Sequence, residues 1–136
     1  MKNININFSN KINATVPTAK KVYEEAQSLL AKKFSQDKLS TMLLEFGVNY
    51  ITSADIKRLN HDFRHLDKPT DVLSFPIYRN ITQIQNNPSY IINLGDIFIC
   101  LPEAEKNAKE KNTTLNEEII FLIIHGLKHL LGFHHK

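Results

Sequence analysis

Three histidines near the end of the chain have a spacing that could place them around one metal ion. His125 and His129 lie four residues apart, so on a helix both imidazoles project from one face, about one turn apart. Gly132 then favours the end of that helix and a reversal of the chain, which could return His135 to the same point. Three neutral imidazoles without a fourth protein ligand suit a zinc ion that keeps one position open for water. We therefore predict a site for one Zn2+ at this end of the chain.

The neighbouring His134 leaves the third ligand ambiguous on spacing alone. Successive side chains of an extended segment point in opposite directions, so we expect only one of His134 and His135 to bind the ion. The spacing resembles the elongated zincin motif, His-Glu-x-x-His-x-x-Gly-x-x-His, and that motif selects His135. In zincin peptidases the Glu is the general base, but Gly126 stands in its place here. The metal site is therefore predicted without the usual peptidase base.

Two carboxylates elsewhere in the chain are candidates to support this site. Glu118 lies about two turns before His125 on the predicted helix, which favours a supporting or solvent-facing role over that of a direct base. Asp96 follows Gly95 in a predicted strand and could also approach the metal. For both carboxylates a purely structural role is an equal alternative.

A second polar segment, residues 59–76, lies between a predicted helix and a predicted short strand. Connections between rigid elements are common positions for functional groups. Within this segment, Arg64 carries a planar guanidinium that matches phosphate and stays charged at any relevant pH. The alternative is a surface ion pair with Asp62 or Asp67, and residue chemistry alone does not decide between the two.

Composition and charge restrict the class of protein. The 136 residues suffice for one domain with a core, and 42% hydrophobic residues is typical of a globular chain. No apolar run approaches the ~20 residues that span a bilayer, and the alternating N-terminus lacks the apolar stretch of a signal peptide, so we expect a cytoplasmic protein without a membrane partner. The single Cys100 excludes an internal disulfide and favours a small buried hydrophobe. A net charge of +3 permits an RNA partner without demonstrating one.

Alternating strands and helices predict one α/β (α+β) domain over residues 1–136, with a small mixed sheet packed against helices. Hydrophobic periodicity predicts strands over 2–8, 40–50, 71–75 and 89–100, the last interrupted at 95–96, and a loop over 77–88. Helices are predicted from Pro17, from a Ser53 N-cap, from Pro102 to about Lys111, and from the capping-box pattern at 114–117 to about Leu131.

The two polar segments together resemble the YbeY family of rRNA-maturation endoribonucleases. Residues 59–76 match the signature Leu-Asn-x-x-(aromatic)-Arg-x-x-Asp-x-Pro-Thr-Asp-Val-Leu-Ser-Phe-Pro in full, and residues 94–97 match Leu-Gly-Asp-Ile. Residues 125–135 match His-Gly-x-Leu-His-Leu-x-Gly-Tyr-Asp-His with changes. The motifs are long and specific. Their order and spacing also agree with the family, and the resemblance covers most of residues 50–135.

This resemblance implies a single α/β domain with a zincin-like metal helix. It implies a zinc ion on His125, His129 and His135, with Arg64 required for activity. The implied activity is metal-dependent cleavage of single-stranded RNA, in 3′-end maturation of small-subunit ribosomal RNA and in ribosome quality control. Ribosomal RNA and ribosomal particles are therefore the expected partners.

The chain departs from the family pattern at three points. Lys128 replaces a Leu and adds a cation near the metal, where it could help to track an RNA backbone. His134 replaces an Asp and removes a possible hydrogen-bond acceptor beside the third ligand. Members usually continue into an acidic tail past the third His, whereas this sequence ends at Lys136.

Two other functions stay open on the sequence. A metallopeptidase or other small-molecule metal hydrolase is favoured by the zincin spacing and opposed by Gly126. A non-catalytic ribosome-assembly factor with a structural metal is opposed by a ligand set of three rather than four.

Overall fold

The computed structural model describes residues 3–133, in which a four-stranded mixed sheet packs against helices. The strands are β1 (Ile4–Ser9), β2 (Leu43–Ile51), β3 (Val72–Pro76) and β4 (Ile91–Cys100). The helices are α1 (Ala19–Lys33), α2 (Gln36–Leu39), α3 (Ser53–Arg64), α4 (Ile81–Gln85), α5 (Leu101–Lys111) and α6 (Leu115–Leu130). The strand order is β1-β2-β4-β3, with β1, β2 and β4 parallel and β3 antiparallel to β4. The predicted α/β class with a small mixed sheet is confirmed.

Strand β3 separates two hydrophobic clusters, because its successive side chains point to opposite faces of the sheet. On one face Leu73 joins Ile56 of α3 and the buried thiol of Cys100, which is the small buried hydrophobe that the sequence predicted. On the other face the larger cluster includes Leu30 of α1 and Ile123 of α6.

Within residues 3–133, none of the helices combines the length and the apolar composition that a membrane span requires.

Hydrogen bonds at the helix ends shift several predicted boundaries. The hydroxyl of Thr18 caps α1, so Pro17 precedes the cap instead of lying in the first turn. Thr52, not Ser53, caps α3, since two adjacent hydroxyl residues could both have served. The predicted loop at 77–88 contains the short helix α4, which the side chain of Asn80 caps.

The N-terminus of α6 has the predicted cap. Thr114 Oγ1 accepts a hydrogen bond from Glu117 N at 3.1 Å and donates one to the Glu117 carboxylate at 3.0 Å. The helix that carries the histidines therefore begins where the sequence predicted, and its last helical residue is Leu130.

The predicted interruption at 95–96 is a β-bulge within a continuous β4. Between the pairs 45/93 and 47/96, β4 contains one residue more than β2. Gly95 has a φ of 120°, and a Cβ there would collide with the Phe75 carbonyl oxygen, so only glycine fits. Beyond the bulge Ile97 faces α6, and the preceding Asp96 consequently faces the other side of the sheet.

Candidate active-site cleft

Helix α6 presents His125 and His129 side by side, as their spacing predicted. The two ring centroids are 4.6 Å apart, and the ring planes are inclined by 50°. Zn–N bonds are about 2.1 Å long, so imidazoles at this separation can each direct a nitrogen to one shared ion. Both rings are half-buried and line the same cleft.

The end of α6 is fixed by the reversal that Gly132 predicted. Gly132 N donates to His129 O at 3.0 Å and Phe133 N donates to Lys128 O at 2.9 Å, which is the Schellman pattern. Gly132 has a φ of 91°, and a Cβ there would lie 2.5 Å from Asn80 Cα. The chain therefore turns sharply at Gly132, three residues before the predicted ligand His135.

The third ligand lies outside the described residues. Both His134 and His135 follow residue 133, where the structural description ends. Within residues 3–133, no group of three or more His, Cys, Asp or Glu side chains is arranged to hold a metal ion. The described part of the chain therefore supplies two of the three predicted ligands, and His135 stays a prediction.

Ser74 is a contributor to the site that the sequence reasoning missed. It lies on the face of β3 that meets α6, and its Oγ is 3.3 Å from His129 Nδ1. A hydrogen bond at Nδ1 assigns Nε2 as the ring nitrogen for a metal, and such a bond orients a metal-binding imidazole. The available signal was the single hydroxyl in the apolar run Val-Leu-Ser-Phe at 72–75.

Arg64 reaches the cleft because α3 ends there in a tethered turn. His65 adopts the left-handed conformation with a φ of 58°, and its N–H donates to His61 O at 3.0 Å. The buried Asn60 donates a hydrogen bond from Nδ2 to Lys68 O at 2.9 Å. This hydrogen bond restrains the segment 65–71, which connects α3 to β3. The last residue of α3 is therefore held at the mouth of the cleft.

The cleft has a volume of about 350 Å3 and brings Arg64 together with the two histidines. Its walls are formed by Arg64, Thr70, Asp71, Val72, Leu73, Ser74, His125 and His129. Asp67 contacts His61, and within residues 3–133 Arg64 forms no ion pair with Asp62 or Asp67. The surface-pair alternative for Arg64 is therefore not observed. A guanidinium that lines the same cleft as two imidazoles can bind the phosphodiester of a substrate there.

Asp71 is a second lining residue that the sequence reasoning did not single out. Its Oδ2 accepts a hydrogen bond from Asn107 Nδ2 at 2.8 Å, and the same amide lies 3.4 Å from Glu118 Oε2. Glu118 is only 2% exposed and pairs with Lys111 Nζ at 2.9 Å. The solvent-facing alternative for Glu118 is wrong, because this carboxylate is buried behind the cleft and supports Asp71 through Asn107.

Two other predicted contributors do not line the cleft. Asp96 is exposed on the side of the sheet away from α6, so the expectation that it approaches the histidines is not met. Lys128 instead lines a neighbouring groove between α1 and α6, which it shares with His125. The cation is near the predicted metal site but lies beside the cleft.

Gly126, at the position of the zincin Glu, faces the sheet. It is buried, and a Cβ there would lie 2.8 Å from Ile97 Cγ2. A longer side chain at this position would have to displace the Ile97 side chain of β4, so the packing of α6 against the sheet favours glycine where the peptidase base would stand.

Comparison with known proteins gives one consistent family. The sequence model described as endoribonuclease YbeY matches residues 5–136. A Francisella tularensis endoribonuclease YbeY is 36% identical over 140 residues, covering 100% of this chain and 79% of that protein. The Persephonella marina protein of the same name is 39% identical over 115 residues, covering 79% of this chain and 71% of that protein.

A solved structure agrees with the fold. The solution structure of TM1509 from Thermotoga maritima aligns over 98% of this chain and 75% of that one, with a TM-score of 0.53 and 28% sequence identity. The similarity therefore extends over nearly the whole described sheet and its helices.

Proposed function

The chain belongs to the YbeY family of endoribonucleases, and we propose that it cuts single-stranded RNA with a zinc ion in the cleft between Arg64 and the α6 histidines. The observation that carries this proposal is the convergence of Arg64, His125 and His129 on one cleft. These residues come from α3 and α6, which are far apart in the sequence. Their meeting suits a substrate that carries a phosphodiester.

Arg64 holds the scissile phosphate in this proposal. Its fork of N–H donors can bind two phosphoryl oxygens at once, and its charge opposes the negative charge that develops during cleavage. The exposed position of Arg64 at the mouth of the cleft leaves it accessible to a polymer.

His125, His129 and His135 are the residues that would hold the zinc ion, and the donor set fits that metal. When bound, zinc supplies Lewis-acid polarisation of a phosphoryl oxygen. With Nε2 on the metal, Nδ1–H of His129 would donate to Ser74 Oγ, 3.3 Å away, and this hydrogen bond would keep the ring oriented. Asp71, held by Asn107, is the carboxylate among the described lining residues that can take the proton of the attacking hydroxyl.

The proposed substrate in the cell is ribosomal RNA, at the 3′ end of the small-subunit molecule and in the removal of defective ribosomes. Family membership supports this assignment, and the net charge of +3 is compatible with binding to ribosomal particles. We place the protein in the cytoplasm, where its buried free thiol suits a reducing medium. The packing of Gly126 argues against the peptidase alternative.

Metal removal and restoration test the proposal. Nuclease-free protein should lose cleavage of labelled single-stranded RNA after chelation and regain it when zinc is added. His125→Ala should stay inactive with zinc, whereas His61→Ala, which removes a histidine that does not line the cleft, should cleave normally. Equal cleavage by the chelated protein or by His125→Ala would contradict the proposed function.

A further inference from the structure

We propose that the groove between α1 and α6 binds one nucleobase of the RNA strand, stacked on Phe121. This inference rests on the proposed endoribonuclease function. The groove has a volume of about 490 Å3, and its lining includes Lys21, Ile120, Phe121, Ile124, His125 and Lys128. It adjoins the cleft described above, because His125 lines both.

Phe121 is an exposed aromatic side chain on a helix that is otherwise largely buried. It is 55% exposed, whereas Leu122 and Ile123, the next two residues, are at most 2% exposed. Its ring is nearly parallel to that of His125, with an interplanar angle of 18° and centroids 6.3 Å apart. Two near-parallel rings along one groove favour a ligand with a flat aromatic face. Every nucleobase has a flat aromatic face.

The ring of Phe121 is held in place from the α5 side. Lys111 Nζ lies 4.1 Å from the ring centroid, and the same ammonium pairs with Glu118 at 2.9 Å. This cation–π contact occupies the α5 side of Phe121, while the groove lies on its α1 side. The aromatic surface that faces the groove is therefore positioned before a ligand arrives, which lowers the entropy loss on binding.

The charges along the groove suit a base better than a phosphate. Lys21 pairs with Glu25 at 3.1 Å, so these two lining charges offset each other. The Glu117 carboxylate also lines the groove and accepts hydrogen bonds from the hydroxyls of the two threonines that precede α6. Lys128 has no ion pair with any residue of the described part of the chain, so its ammonium can meet the backbone beside the bound base.

His125 connects the groove to the cleft, because it lines both spaces. A phosphate held at Arg64 has its neighbouring nucleotide within reach of the groove, because both spaces share one histidine. A base can enter the groove only when it is not paired and stacked in a duplex. The subsite therefore gives the enzyme a physical reason to prefer single strands.

A tryptophan reporter tests for base stacking directly. The natural chain has no tryptophan, so zinc-loaded Phe121→Trp carries a single fluorophore in the groove. A short single-stranded oligoribonucleotide, mixed by stopped flow, should quench it before cleavage proceeds, and the same oligonucleotide with abasic residues around the cleavage site should not. Tyr90→Trp is the matched control, because Tyr90 is 57% exposed and lines neither the groove nor the cleft.

Steady-state kinetics supply the second measurement. Phe121→Leu should raise KM for single-stranded RNA roughly 5- to 140-fold, since stacking is worth that factor per base, while Phe121→Tyr should stay close to wild type. The kcat of both variants should change by no more than about twofold, because Phe121 does not hold the phosphate.

The outcomes separate the base subsite from the function itself. Unquenched fluorescence of the Phe121→Trp variant, or a wild-type KM for Phe121→Leu, combined with cleavage that still requires Arg64, would overturn the subsite and leave the endoribonuclease intact. A wild-type protein that cuts no single-stranded RNA would overturn the proposed function and this inference with it.

Discussion

Ser74 Oγ lies 3.3 Å from His129 Nδ1 and joins the antiparallel edge strand β3 to helix α6, which carries the predicted metal ligands. The contact exists because the alternation of β3 turns Leu73 toward α3 and Ser74 toward α6. The histidine ring is thus oriented by a strand that belongs to the same polar segment as Arg64. The position of β3, which forms one wall of the cleft, therefore helps to fix the orientation of the His129 ring on α6, which forms the other wall.

Ser74→Ala should weaken zinc binding about 10- to 100-fold, because His129 loses the group that orients its ring. Ser74→Thr retains a hydroxyl and should bind zinc more tightly than Ser74→Ala does. Competition with a chromophoric chelator measures both affinities. An unchanged affinity in Ser74→Ala would show that the contact does not position the histidine.

The buried carboxylate of Glu118 provides a prediction about stability. Lys111→Met keeps most of the side-chain length but leaves Glu118 buried without its cation, so the free energy of unfolding should fall by about 3 kcal/mol. Lys109→Met is the matched control on the same helix, because its pair with Glu105 is exposed and should contribute less than about 1 kcal/mol. Urea denaturation measures both values, and equal losses would contradict the structural role given to Glu118.

A substitution at Gly126 can test whether the zincin peptidase motif is compatible with this fold. Gly126→Glu recreates the zincin sequence but drives a carboxylate against Ile97, so we expect a loss of at least about 3 kcal/mol and no peptidase activity. Gly126→Ala should be destabilised less, because it adds one methyl group. Thermal unfolding and a peptide-library assay provide the measurements. A stable Gly126→Glu protein that hydrolyses peptides would refute this interpretation of α6.

The buried phenol of Tyr50 should make the free energy of unfolding depend on pH in alkaline solution. Burial raises the pKa of Tyr50 from 10.0 to about 12, so the folded state keeps its phenol protonated where the unfolded state ionises. The unfolded state then binds fewer protons, and stability falls by about 1.4 kcal/mol per pH unit between the two pKa values. Tyr50→Phe should lack this component. Its stability difference from wild type should be constant below about pH 9 and shift in favour of the variant above about pH 10.

The features that could be predicted from the sequence are those set by local spacing. The pair of His125 and His129 follows from the helical repeat, and the ends of α6 follow from the Thr114 cap and from Gly132. Arg64 could be nominated from its chemistry, but an ion pair was an equal alternative until the path of residues 65–71 was known. Local signals therefore located the helix that carries the proposed metal ligands and left its surroundings open.

The remaining features depend on packing between elements. Ser74 and Asn107 become relevant only once β3 and α5 meet α6, which no local pattern specifies. The expected approach of Asp96 failed because the bulge at Gly95 determines which face each later residue of β4 takes. A shift of one residue in that register would have exchanged the positions of Asp96 and Ile97.

The central claim is that Arg64 stabilises the phosphodiester while the histidines hold the metal. Its most direct test is the single-turnover rate of single-stranded RNA cleavage by zinc-loaded Arg64→Ala, with Arg58→Ala, an exposed arginine on the same helix, as the control. We predict that Arg64→Ala cleaves at least about 100-fold more slowly with unchanged zinc content, whereas Arg58→Ala cleaves at the wild-type rate. A wild-type rate for Arg64→Ala would contradict the account.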